Sequence, residues 1–282
     1  MNTLNKEKSV VVKSIFTIIF GIGGLLCVFP FIWMLSTSFK GVEDVFTFPI
    51  EWIPSNPTLA AYERVFSGDF PFLLFLRNSV FVTTMAMIGT FFSCTLAGYA
   101  FSKIKFFGRN KLFLLMLSSA MIPGIVTMLP TFMIYRQLGL VGTLVPLWLP
   151  FFLGGTFGVM IMRQNMVSIP EELIESARID GANHPQIYWH IALPSVKPAI
   201  ATLLFMYFLW SWNDYERPLL YLQGNRQLFT LPFAVQNFAN ENLQNIPAIM
   251  ASNVVSITIV IIMFIFCQKY FVQSVMSSGI KG

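Results

Sequence analysis

Polar residues in this 282-residue chain cluster into short stretches that separate long apolar runs. Five runs, at residues 14–39, 78–102, 112–135, 137–162 and 242–268, contain no Asp, Glu, Lys or Arg. Each reaches the roughly 20 residues that a helix needs to cross a hydrocarbon core about 30 Å thick. Trimmed to their apolar cores, they predict spans at 15–35, 80–101, 112–134, 144–162 and 249–266. A sixth run, 198–212, is short, and spans when extended back toward Ile191 with Lys197 reaching to the interface. The pattern predicts six membrane-crossing helices. Pro123 and Pro130 predict a bend in the third. The glycine clusters 21–24 and 154–155 predict close helix packing.

The first run follows Lys6, Lys8 and Lys13, as in a signal peptide, but it is too long for a signal core and no A-x-A site follows. A lipoprotein site at Cys27 also fails, because Leu26 stands where a small residue is expected. The run is therefore expected to remain a membrane helix. Of the two long outer loops, 40–77 and 213–247, the first is broken by Pro49, Pro54, Pro57 and Pro71, which excludes a continuous helix. Neither is large enough for a core of its own.

In the connection 163–197 the pattern changes. Ser168 and Glu171 predict an S-x-x-E capping box, with Pro170 in the first turn. Gly181 predicts the stop, with Pro185 soon after. Leu173, Ile174, Ala177 and Gly181 fall on one predicted face, flanked by Glu172, Glu175 and Asp180. Such a helix can lie on a leaflet or sit in a protein socket. Leaflet helices favour Lys and Arg, whereas this one carries four carboxylates (Glu171, Glu172, Glu175, Asp180) against Arg178. The socket is the better expectation.

Composition confirms the membrane class: 55% of residues are hydrophobic and only 11% charged, against roughly 25% charged in soluble domains. A soluble enzyme, a disordered regulator and a nucleic-acid module are excluded. The formal charge of +5 belongs to membrane orientation, because with the N-terminus inside, twelve Lys and Arg fall in inner segments and six in outer ones. Both termini are expected in the cytoplasm. The resulting map is an N-terminal segment 1–14, a first span 15–35, an extracytoplasmic loop 36–77, a transmembrane core 78–271 holding the short helix at about 169–181, and a tail 272–282.

Catalytic and metal-binding patterns are missing from the sequence. Apart from Lys197 at the interface, the six apolar cores hold no ionisable Asp, Glu, Lys, Arg or His, which argues against ion coupling. Hydroxyls and amides remain able to ligate sodium. No H-E-x-x-H, nucleophile elbow or paired carboxylates occur at depth. His184 and His190 lack cysteine or carboxylate partners in sequence and read as surface polar residues. Cys27, Cys94 and Cys267 lie in apolar stretches, so neither a disulfide framework nor zinc is implied. There is no P-loop; energy for uphill movement would have to come from another subunit.

Glu175-Ser176-Ala177, Asp180-Gly181-Ala182 and Ile191-Ala192-Leu193-Pro194 resemble the E-A-A…G…I-x-L-P motif of membrane subunits of binding-protein-dependent ABC importers. Phe48-Pro49…Trp52…Pro54, Asn78-Ser79, Phe107-Gly108-Arg109, Trp212-Asn213-Asp214-Tyr215 and the tail Gly279-Ile280-Lys281-Gly282 narrow the resemblance to the maltose-type carbohydrate-uptake branch. It covers nearly the whole chain, and Ser176 departs from the usual alanine while staying small. The resemblance implies an all-α type I importer permease, with one span outside a five-helix core. It implies coupling to a cytoplasmic ATPase through Glu175, Ser176, Ala177, Asp180, Gly181, Ile191, Leu193 and Pro194, with Gly279, Lys281 and Gly282 near the ATPase dimer. It further implies two ATPase subunits holding ATP and magnesium, a second homologous permease and an extracytoplasmic sugar-binding protein touching the loop after Trp212. No cofactor is expected in this chain itself.

Sugars are held by aromatic faces and by hydroxyl or amide groups. Tyr207, Trp210, Ser211, Trp212 and Asn213 in the fifth span, and Ser252, Asn253, Ser256 and Thr258 in the sixth, have these chemistries. From them, Tyr207, Trp210, Ser211, Asn213, Asn253 and Ser256 are the candidate pathway residues. Each also admits a structural role, in an interfacial belt or bonded to helix carbonyls. Three cargo readings stand at this point: a sugar or oligosaccharide importer, an importer of a polyol or phosphorylated glycerol, and an ion-coupled carrier working alone.

Overall fold

A computed structural model describes residues 2–66, 70–222 and 224–279. Its helices are α1 (Asn2–Thr37), α2 (Ala60–Phe66), α3 (Phe72–Lys103), α4 (Arg109–Ser119), α5 (Gly124–Gln137), α6 (Val145–Phe152), α7 (Thr156–Val167), α8 (Glu171–Ile179) and α9 (His184–Ile187), the last continued by a π turn, Tyr188–Ala192. There follow α10 (Leu193–Ser195), α11 (Lys197–Trp212), α12 (Glu216–Tyr221), α13 (Leu231–Glu241) and α14 (Ile246–Gly279). Among the described residues four stretches are long and apolar enough to cross a membrane, and two bent pairs bring the total to six when each pair is counted as one span.

The bent pairs depart from straight spans. The third predicted span breaks between α4 and α5 with a 95° bend. Pro123 caps α5 at the break, whereas Pro130 lies inside α5, its helix continuing past it. The predicted span that ends at Trp212, the fifth in chain order, turns by 81° between α10 and α11, so the extension toward Ile191 is not collinear with Lys197–Trp212. At 1.5 Å per residue, α11 alone is about 24 Å long.

The chain divides into two compact units, Met1–Pro71 with Val235–Thr258, and Phe72–Ala234 with Ile259–Gly282. In the first, the segment after α1 folds back onto the helix end. Trp52 packs against Phe29 and Trp33 at ring distances of 5.0 and 5.3 Å. Buried Lys40 lies 4.6 Å over the Trp33 ring and donates to the Glu51 carbonyl at 2.5 Å. These contacts explain why the Trp52 signature is ordered without a domain core.

In the second unit, α3 packs along α6 and α7 through glycines. A Cβ on Gly89 would lie 2.2 Å from Phe152 Cα, and one on Gly98 would lie 2.6 Å from Met162 Cβ. Only the missing side chain permits that approach. Among the described residues, a Cβ on Gly21, Gly23 or Gly24 would meet nothing within 4 Å, so the close packing expected of that cluster is not seen there. Gly154, at φ +82°, separates α6 from α7.

Candidate functional site

Pro170 precedes α8, and the acidic Glu171 and Glu172 stand in its first turn, where the helix dipole favours negative charge. Ser168 does not form the expected capping box: its Oγ donates to the Asn165 carbonyl at 2.7 Å, closing α7 instead. The box occurs at Asn183 and Gln186, which starts α9. The helix stop falls at Gly181, whose φ of +84° favours glycine. There the Gly181 N–H donates to Arg178 O at 3.0 Å and the Ala182 N–H to Ala177 O at 2.9 Å.

Three residues of α3 make four polar contacts that fasten this segment to the C-terminal end of that helix. Buried Lys103 donates from Nζ to Ile169 O at 2.7 Å and pairs with Glu171 Oε2 at 3.2 Å. The pair bridges the negative end of α3 and the positive start of α8, so both helix dipoles favour it. Tyr99 Oη meets His184 Nδ1 at 3.2 Å, and Thr95 Oγ1 meets Tyr188 Oη at 2.7 Å.

The π turn Tyr188–Ala192 lies just before Pro194, whose ring removes an N–H donor and prevents a regular turn. The I-x-L-P stretch thus redirects the chain into the bend before α11. Leu193 is buried, Ile191 is half-buried and Pro194 is exposed.

The predicted single face of α8 is divided. Ile174 is fully buried and Ala177 packs beside it against the chain's own core, whereas Leu173 is 47% exposed. Burying Ile174 is worth about 1.5–3 kcal/mol. Glu175, Ser176, Asp180 and Gly181 are exposed, and so is Ile179, at 86%. Ile179 is the residue that sequence reasoning passed over. It stands five positions from Ile174, about 140° around the helix, and an apolar residue off the buried face was the available signal. A hollow of about 290 Å³ lined by Asp180, Gly181, Gln186, His190 and Ile191 continues this exposed surface.

The buried side of α8 belongs to one continuous hydrophobic cluster that runs from Ile174 and Ile187 through Met166, Met162 and Leu203 to Tyr207. Tyr207 is itself buried, its hydroxyl occupying the space that a Cβ on Gly155 or Gly158 would need. Ser211 is also buried, its Oγ 3.5 Å from Thr83 Oγ1. Trp210 and Asn213 are exposed, Asn213 donating to Leu209 O at 3.0 Å. Asn253 donates to Ile249 O at 2.8 Å, and Ser256 is half-buried. These last two belong to the first compact unit and the other four to the second. Gly279 closes α14, while Lys281 and Gly282 lie outside the described residues. Among the described residues no group of His, Cys, Asp and Glu is placed to hold a metal ion.

Residues 89–277 match the family described as binding-protein-dependent transport system inner membrane component. The arabinooligosaccharides transport system permease protein AraQ of Halalkalibacterium halodurans is 31% identical over 281 residues, covering 99% of this chain and 100% of that one. The polygalacturonan/rhamnogalacturonan transport system permease protein YtcP of Bacillus subtilis is 32% identical, over 92% of this chain and 94% of its own. Among solved structures, a chain of a bacterial ABC transporter involved in the import of the acidic polysaccharide alginate superposes with a TM-score of 0.79. That chain is 27% identical, and the match covers 93% of this chain and 96% of that one.

Proposed function

The chain belongs to the family of binding-protein-dependent transport system inner membrane components, and from that membership we propose that it is the transmembrane permease subunit of an ATP-driven importer of a sugar or oligosaccharide. It is a multi-pass membrane protein with the all-α fold of type I ABC importer permeases. Similarity to permeases named for arabinooligosaccharides and for polygalacturonan supports a carbohydrate cargo. In this reading two ATPase subunits hold ATP and magnesium, a second homologous permease completes the pathway, and an extracytoplasmic binding protein delivers the sugar. The chain resides in a bacterial or archaeal cell membrane with both termini cytoplasmic. Tyr207, Trp210, Ser211, Asn213, Asn253 and Ser256 remain the candidates for pathway chemistry, and the tail at Gly279, Lys281 and Gly282 approaches the ATPases.

One observation carries the coupling role. The outer side of α8 presents Glu175, Ser176, Ile179 and Asp180 to a partner, while its other side is embedded through Ile174 and Ala177 in the core that reaches Tyr207. A push on α8 therefore acts on packed side chains, and close packing transmits displacement rather than absorbing it. Closure of the ATPase pair moves α8, and α11 follows through the shared core.

Reconstituted complexes test this. Glu175→Lys, Ile179→Glu and Gly181→Asp should each lower binding-protein-stimulated uptake about tenfold or more while leaving membrane insertion intact. A cross-linker at Ser176 or Ile179 should capture the ATPase. Wild-type uptake by all three variants would overturn the coupling role.

A further inference from the structure

A second cavity lies between α5, α6 and α12. It measures about 490 Å³ and is lined by Thr127 and Thr131 from α5, Pro150 from α6, and Glu216, Arg217 and Tyr221 from α12, among others. That volume falls within the ~300–1,000 Å³ of ordinary small-molecule sites. We propose that it is a subsite for an uncharged sugar unit, an assignment that rests on the importer reading above and narrows its cargo.

The lining has the chemistry of a polyhydroxylated ligand. Thr127 Oγ1 donates to Gly124 O at 3.0 Å and Thr131 Oγ1 to Thr127 O at 2.7 Å. With each hydroxyl proton engaged, the oxygens offer acceptor lone pairs. Glu216 adds a carboxylate acceptor. Arg217 is held between the Asp214 carboxylate, 3.3 Å from Nη1, and the Phe151 ring, 4.2 Å away, which fixes its fork of donors at the cavity. Pro150 and Tyr221 supply apolar surface for sugar C–H faces, with Tyr221 itself fixed by Phe132 and Tyr135 at 6.0 and 5.4 Å.

Charge selects among saccharides. Arg217 is matched by Asp214 and further opposed by Glu216, so two carboxylates face one cation. A uronate would bring a third carboxylate to a lining whose one cation already faces two, and like charges repel. Neutral hydroxyls incur no such cost.

Uptake by proteoliposomes holding the complete importer and its binding protein tests the assignment, with arabinotriose and maltotriose as neutral probes and trigalacturonate as the acidic one. Neutral uptake should exceed acidic uptake. Thr131→Trp, which fills the cavity, should lower neutral uptake about tenfold while binding-protein-stimulated ATP hydrolysis stays within about twofold. Should that variant also lose ATP hydrolysis, Thr131→Val decides: loss of an acceptor should lower neutral uptake about fivefold, and unchanged uptake overturns the subsite. Glu216→Arg should raise the ratio of acidic to neutral uptake about fivefold or more. Full neutral uptake by Thr131→Trp, wild-type preference for trigalacturonate, or an unmoved ratio in Glu216→Arg would each overturn it. Failure of the wild type to move any saccharide would instead overturn the importer reading itself.

Discussion

The two ends of α3 hold two of the chain's irregular segments by different chemistry. At the N-terminal end, buried Asn78 donates from Nδ2 to Gln227 O at 2.8 Å and to Phe229 O at 3.0 Å, while Ser79 Oγ accepts from the Leu231 N–H at 2.7 Å. These are neutral groups bonded to backbone. At the C-terminal end, Lys103 makes the corresponding fastening with a charge, and Glu171, its partner, is half exposed. A neutral buried clamp is insensitive to salt and pH and costly to break. A charged clamp with one wet partner leaves its segment easier to displace, which suits the end that carries α8.

Asn78→Leu should have the largest effect on stability, because the buried Phe229 carbonyl and the partly buried Gln227 carbonyl both lose their donor: about 2–4 kcal/mol, measured by denaturation of the solubilised complex. Lys103→Met should cost less, about 1–2 kcal/mol, yet should lower uptake relative to ATP hydrolysis by freeing the start of α8. If it destabilises as much as Asn78→Leu, the two ends are equivalent and the contrast fails. Tyr99→Phe removes one contact to His184 and should cost about 1 kcal/mol. Glu171→Gln should cost least, about 0–1 kcal/mol, since its carboxylate is partly exposed.

The division into neutral and charged ends has an exception near Asp214, outside the spans. Burial lifts this carboxyl above its ordinary value of 3.8, against the lowering influence of Arg217. With the folded value raised, the native state holds the proton more tightly than the unfolded one. Its contribution is therefore fully present below 3.8 and is lost as pH rises through the raised folded value. Asp214→Asn should flatten the stability profile across that window; an unchanged slope would show that burial does not govern this group.

Much of the α8 segment was legible in sequence. The acidic helix and its stop at Gly181 follow from local rules, because only glycine takes φ +84° cheaply. The capping box was misplaced because Ser168 could cap α8 or close α7, and both choices satisfy the same hydroxyl. Ala177, expected to face a partner, is half-buried beside Ile174, while Ile179 faces outward, because the pattern of a short helix does not say which neighbour its apolar side meets. The bend at Pro123 was legible from its position. Pro130 carries the same chemistry within a continuous helix.

By itself, the sequence determined which segments are apolar enough to cross a bilayer, where the acidic helix ends and which backbone positions need glycine. Each depends on composition or on a residue's own conformational range. Tertiary structure alone decided that Gly89 meets Phe152, that Lys103 is buried against Ile169 and Glu171, and that Arg217 is held beside a cavity. The reason is that lipid and protein are equally hospitable to an apolar surface. Hydrophobicity places a helix in the membrane, and shape and hydrogen bonding choose its neighbours.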